Sequence, residues 1–214
     1  MRISKIYRSV RNTWPLMLFV SGMFLTGCLE NENDVSRPVS GEGPVISMPI
    51  EVDSFNKVRH VSMGDMSIVV SDTFSVVLEA QQNILDLMDW TVEEETFYWG
   101  FKEAVEIVEA EKILCVIRIP HDIESVILTG IGGIGITGYK QENIYLELTG
   151  YGNIGAYGLD ADKAEVYLSG VGNIEVRASE EITGLISGRG NIYYRGNPTL
   201  NIHISGSGSA VDDN

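Results

Sequence analysis

One five-residue pattern recurs five times in the C-terminal half of this chain: an aliphatic residue, Thr or Ser, Gly, any residue, Gly. It reads Leu128-Thr129-Gly130-Ile131-Gly132, Leu148-Thr149-Gly150-Tyr151-Gly152, Leu168-Ser169-Gly170-Val171-Gly172, Ile186-Ser187-Gly188-Arg189-Gly190 and Ile204-Ser205-Gly206-Ser207-Gly208. The next two residues are Gly133-Ile134, Asn153-Ile154, Asn173-Ile174, Asn191-Ile192 and Ser209-Ala210. A unit of this length cannot close a core by itself, so neighbouring units must stack to bury one. Of the 23 glycines, 17 lie between Gly130 and Gly208, and the repeat accounts for that clustering.

The flanks alternate apolar and polar residues with the period of a half-buried strand. Val126/Leu128, Leu146/Leu148, Val166/Leu168 and Ile202/Ile204 precede the glycines, and Ile134/Ile136, Ile154/Ala156, Ile174/Val176 and Ile192/Tyr194 follow them. Each unit is therefore read as a strand, a glycine corner and a second strand. In-register stacking sets equivalent residues ~4.8 Å apart and turns the inward Ile and Leu columns into ladders. The expected architecture is an all-β parallel solenoid, β-helix-like, with about five glycine-cornered coils. Asn153, Asn173 and Asn191 are expected to pair their amides in a stack.

Two ligand motifs are imitated by the corners. Gly130-Ile131-Gly132-Gly133-Ile134-Gly135 and Gly150-Tyr151-Gly152-Asn153-Ile154-Gly155 match G-x-G-x-x-G. The residues after them are poor helix formers, whereas a dinucleotide site needs a helix N-terminus there. Calcium-binding nonapeptide repeats need an Asp beside each corner. The matching positions are Gly133, Asn153, Asn173, Asn191 and Ser209. Neither a cofactor nor a metal is expected.

The first 27 residues carry Arg2, Lys5, Arg8 and Arg11 and no acid, then an apolar run from Trp14 to Phe24 that is short for a bilayer span. They read as a signal peptide. Leu25-Thr26-Gly27-Cys28 resembles the bacterial lipobox, which implies cleavage before Cys28 and lipidation of its thiol. Leu29 follows in place of the Asp that resembles an inner-membrane retention signal. The acidic stretch downstream resembles a surface-export signal of Bacteroidetes-type lipoproteins, so an outer-membrane address is expected, with surface exposure a refinement. Residues 28–44 read as a flexible tether. The whole chain has a formal charge of −15, and without residues 1–27 it has 11 basic against 30 acidic residues, net −19. So acidic a chain is not expected to bind nucleic acid, which requires Lys and Arg on phosphates. Cys115, in Ile113-Leu114-Cys115-Val116-Ile117, is expected to be buried.

Residues 45–120 lack glycine corners but read largely as strands, clearest at Phe74–Ala80 and Ile113–Ile119. Ile84–Met88 fits a short helical turn, and Glu103–Lys112 fits either a helix or a strand. This stretch is expected to cover one end of the 121–214 solenoid, with a separate sandwich as the alternative.

The Ser/Thr-Gly-x-Gly-Asn-Ile units resemble the head GIN domain family of auto-transporter adhesins. The resemblance covers about residues 52–214, and includes Phe55–Val61, Phe74–Ala80, Ile117–Pro120 and Gly190–Pro198. It implies a secreted or lipoprotein chain and a right-handed β-solenoid-like fold. Where the family's corner often has Asp this chain has Asn, and its first repeat has Gly133.

Parallel β-helices include polysaccharide lyases and hydrolases, which need clustered carboxylates or a metal beside a base on one face. Glu147 and Glu165 lie on adjacent strands, with Tyr145, Tyr167 and Leu185 rather than a Lys or His as neighbours. The chain is therefore expected to be no enzyme. Outward positions offer Tyr145, Tyr157, Tyr167 and Tyr193, with Arg177, Arg189 and Arg195, as a candidate binding surface for a glycan or an envelope protein. The expected function is a non-catalytic, adhesin-like envelope lipoprotein. A carbohydrate-active β-helix enzyme and a structural protein binding a partner chain are the alternatives.

Overall fold

The computed structural model describes residues 38–102 and 105–214. The signal peptide, Cys28 and most of the tether lie outside the described residues.

In chain order the strands are β1 (Pro38–Ser40), β2 (Val45–Ile50), β3 (Lys57–His60), β4 (Asp65–Val70), β5 (Ser75–Gln81), β6 (Met88–Glu93), β7 (Thr96–Phe101), β8 (Glu106–Glu109) and β9 (Leu114–Ile119). The second half adds β10 (Ser125–Leu128), β11 (Ile131–Thr137), β12 (Gln141–Leu148), β13 (Tyr151–Leu168), β14 (Val171–Ile186), β15 (Ile192–Arg195), β16 (Thr199–Ile204) and β17 (Ala210–Asp212). One helical turn, α1 (Gln82–Leu85), joins β5 to β6. The fold is all-β. Of the segment that fits helix or strand, the described part holds β8, which pairs in parallel with β1.

Fifteen strands form one curled sheet, and β13 shows how it curls. The first half of β13 pairs with β11 and its second half with β12, all in parallel. One arm therefore runs β3, β10, β12, second half of β13, second half of β14, β16. The other runs β4, β11, first half of β13, first half of β14, β15, β17. Each glycine corner carries the chain from one arm to the other. Repeats meet in register: Gly132 lies beside Gly152 and Gly152 beside Gly172, with Ile134, Ile154, Ile174 and Ile192 in one column.

The stretch 45–120 shares this sheet. β3 and β4 pair in parallel with β10 and β11, and outside them lie β7 and β9, which arrive later in sequence. Antiparallel β6 finishes one arm, and antiparallel β5 and β2 finish the other. Inward side chains from both arms form one core, with Ile68, Leu78, Ile117, Leu128, Leu146, Ile154, Val166 and Ile174 each 1% exposed or less. Each such aliphatic side chain contributes about 1.5–3 kcal/mol by leaving water. Cys115 is buried among them and burial pushes its thiol pKa up, which suits an inert apolar filler. The aromatic residues gather at the capped end, where Phe55 stacks on Phe97 (4.9 Å) and His60 on Trp99 (4.7 Å).

The corners need glycine for a stated reason. Gly152 and Gly172 have φ of 146° and 139°, and a Cβ on either would be driven into the carbonyl oxygen of the glycine one repeat earlier. The asparagines beside them differ from the expected amide stack. Asn153 Oδ1 accepts the backbone N–H of Asn173, Asn173 Oδ1 that of Asn191, and Asn191 Oδ1 that of Ser209, at 2.9, 2.9 and 3.0 Å. Each amide thus serves the main chain of the next repeat rather than its counterpart's side chain. Asp65 does the same for Gly133 at 2.7 Å.

Candidate binding face

On the outer face of the β3–β16 arm, alternation places Tyr145 and Glu147 of β12 beside Glu165 and Tyr167 of β13. Register sets Tyr145 against Glu165 and Glu147 against Tyr167, so the four side chains form a checkerboard. The two rings approach along its diagonal, with centroids 5.5 Å apart. Within each strand the phenol donates to the carboxylate two residues away: Tyr145 to Glu147 at 2.9 Å and Tyr167 to Glu165 at 2.6 Å. Burial, reinforced by the Glu147 carboxylate, raises the Tyr145 phenol above its ordinary range. For Tyr167 the hydrogen bond to Glu165 does most of the raising. Both phenols stay protonated at neutral pH, so the rings are held as neutral platforms flanked by acceptors.

A shallow groove of about 540 Å³ opens beside the checkerboard. Tyr145 and Glu165 line one side, and Asp122, Glu124, Glu142, Lys163, Glu181 and Thr183 complete it. The latter six are absent from the candidates read from the sequence, although Glu142-Asn143, Asp162-Lys163 and Glu180-Glu181 recur at the spacing of the repeat. That recurrence is the signal that could have found them.

The other candidate residues lie elsewhere. Tyr157, Arg177, Tyr193 and Arg195 belong to the opposite arm. There the Arg195 guanidinium lies 4.0 Å from the Tyr157 ring centroid and 2.9 Å from Asp213. The Tyr157 hydroxyl and then Arg195 hold the Asp213 carboxyl below its usual range. Arg177 is 3.3 Å from Asp160, and Asn191 donates to the Tyr193 hydroxyl at 3.0 Å. Arg189 stands alone at an exposed corner. The seven candidates therefore form no single surface: the structure unites Tyr145 with Tyr167, and Tyr157 with Arg195. Among the described residues no group of three or more His, Cys, Asp or Glu is arranged to hold a metal ion.

Comparison with known proteins adds to this geometry. Residues 122–198 match a family model described as "Putative auto-transporter adhesin, head GIN domain". No curated protein matches the chain. The crystal structure of a putative adhesin from Bacteroides fragilis NCTC 9343 shares the fold, with a TM-score of 0.56 at 18% identity over 80% of this chain and 98% of that one. Two others superpose more loosely. A putative adhesin from Parabacteroides merdae ATCC 43184 gives 0.40 at 16% identity, covering 81% and 99%. A putative lipid binding protein from Parabacteroides distasonis ATCC 8503 gives 0.39 at 19% identity, covering 82% and 100%.

Proposed function

We propose, with the match of residues 122–198 to the head GIN domain model as premise, that this chain is a non-catalytic, adhesin-like protein of the cell envelope that binds glycans. In this reading the curled sheet is a right-handed parallel β-solenoid, Cys28 carries the lipid that holds it at the outer membrane, and residues 28–44 are the tether. The observation that carries the proposal is the Tyr145–Tyr167 platform beside the groove. Aromatic faces stack on the C–H faces of sugar rings, and the carboxylates and Lys163 offer acceptors and a donor for hydroxyls. A column spacing of ~4.8 Å also suits a ligand that repeats along one direction.

One observation favours the runner-up. Asp122, Glu124, Glu142, Glu165 and Glu181 converge on the groove, and a carbohydrate-active enzyme draws its acid and base from such a set. All but Glu181 are exposed, however, and Glu165 is already engaged by Tyr167. A glycan array probed with the purified full chain separates the readings. Binding that Tyr145→Leu and Tyr167→Leu each weaken, with the oligosaccharide recovered intact, supports the adhesin. Cleavage of the bound oligosaccharide, abolished by Glu165→Gln, would overturn it.

A further inference from the structure

The five glycine corners stand apart from the rest of the chain in charge. Residues 129–133, 149–153, 169–173, 187–191 and 205–209 contain no carboxylate and a single cation, Arg189, within a chain of net charge −15. The residue between the two glycines points outward and stacks on its equivalents. Met63 bridges to Ile131, Ile131 pairs with Tyr151, Tyr151 with Val171, and Val171 bridges to Arg189. Ile131, Tyr151 and Val171 are 56%, 63% and 37% exposed. The core does not require apolar side chains there, since Ser207 fills the position in the last repeat. The result is a narrow apolar ridge, ~14 Å from Ile131 to Arg189 at the spacing of parallel strands. The opposite edge, where the arms join again, collects Asp122, Glu124, Glu142, Asp160, Asp162, Glu180 and Glu181 against Lys140, Lys163 and Arg177, which pair with Asp162, Glu180 and Asp160, so it keeps an acidic excess.

The described chain also enters on the corner side. Asn83 of α1 donates to the Ser40 carbonyl at 2.8 Å and accepts from the Glu42 N–H at 2.9 Å. That turn joins the end of β5 to the start of β6. Their neighbours are Leu114, which pairs with Asp65 just past a corner, and Phe101, at the end of β7. Nine residues separate Cys28 from Pro38, ten Cα–Cα steps that reach at most ~35 Å.

We propose that the ridge formed by Ile131, Tyr151, Val171 and Arg189 rests on the lipid surface of the bilayer that holds the Cys28 anchor, an inference that depends on the lipoprotein reading. Three apolar side chains are too few to hold a protein to a membrane from free solution. A short tether keeps the ridge at high effective concentration beside the bilayer, where weak contacts suffice. A tyrosine ring sits comfortably at headgroup depth and Arg189 can approach lipid phosphates. The acidic edge then faces away from an anionic surface, which the charge of the whole chain would otherwise avoid. In this orientation the groove and Glu142 open toward the surroundings, where a glycan would arrive.

The test uses the mature lipidated protein in vesicles with an environment-sensitive dye at Tyr151→Cys or, as control, at Asp160→Cys; the buried Cys115 stays unlabelled. Lipids brominated near the headgroup should quench the dye at 151 several-fold more strongly than the dye at 160. Adding Ile131→Ser and Val171→Ser should bring quenching at 151 down toward that at 160, with membrane association unchanged. Equal quenching at the two positions in the anchored protein would overturn the ridge proposal. Cys28→Ser reports separately: release from membranes upholds the anchor, and retention refutes it whatever the dye at 151 shows.

Discussion

The side-chain carbonyl of Asn173 accepts the backbone N–H of Asn191, one repeat ahead, at 2.9 Å. Asn173→Ala removes that acceptor and leaves a half-buried N–H without it. A loss of about 1 kcal/mol is expected. Asn173→Asp keeps an acceptor in the same place, as Asp65 shows on Gly133, and should remain close to the parent. Equilibrium urea unfolding of the two variants checks the ordering.

Two glycines predict opposite outcomes. Gly152→Ala meets both a positive φ and the Gly132 carbonyl, and should destabilise by about 3 kcal/mol or more. A Cβ at Gly135 would enter open space. Gly135→Ala should therefore stabilise by about 0.5 kcal/mol, by restricting the unfolded chain. Thermal melts of both proteins give the comparison, at ~2–4 °C per kcal/mol for a chain of this size.

His60 is buried, with Nε2 2.8 Å from the Gly64 carbonyl, and Nδ1 lacks a partner. Burial lowers its pKa below the ordinary 6.5. The folded protein thus holds His60 neutral, and the unfolded chain takes up the proton first. Stability attributable to this residue is complete above pH 6.5 and declines as the pH falls from there through the lowered folded value. His60→Phe should flatten that decline, as read from the unfolding midpoint between pH 7 and pH 5.

On the opposite arm, Arg195→Ala removes the cation–π contact with Tyr157 and the ion pair with Asp213. The ion pair is well exposed and contributes little, so the expected cost is that of the cation–π contact, ~0.5–1 kcal/mol. It should shrink in 1 M salt, where screening weakens the pair. A double-mutant cycle with Asp213→Asn measures the coupling.

Much of this molecule is determined by local chemistry that a single repeat already displays. The alternating Ile, Leu and Val columns and the paired glycines dictate strands joined by corners, since one face must be buried and Gly172 must take φ near 139°. The family resemblance rests on the same repeated residues. Register followed as well, because slipping by one residue would turn every inward Ile outward. The partners of polar side chains were decided elsewhere. Asn173 could have met another amide or a backbone N–H, and only the stacked structure selected the latter. Tyr145, Tyr157, Tyr167, Tyr193 and the arginines all read as outward, and alternation alone does not say which arm an outward residue occupies. The curl of the sheet separated Tyr145 and Tyr167 from Tyr157 and Arg195. It also stacked β7 and β9 outside β3 and β4, against sequence order, and brought Glu142, Lys163 and Glu181 from three repeats around one groove. A repeat specifies its own strands and its step to the next, whereas a site assembled across repeats depends on distances that exist only once the sheet has closed around its core.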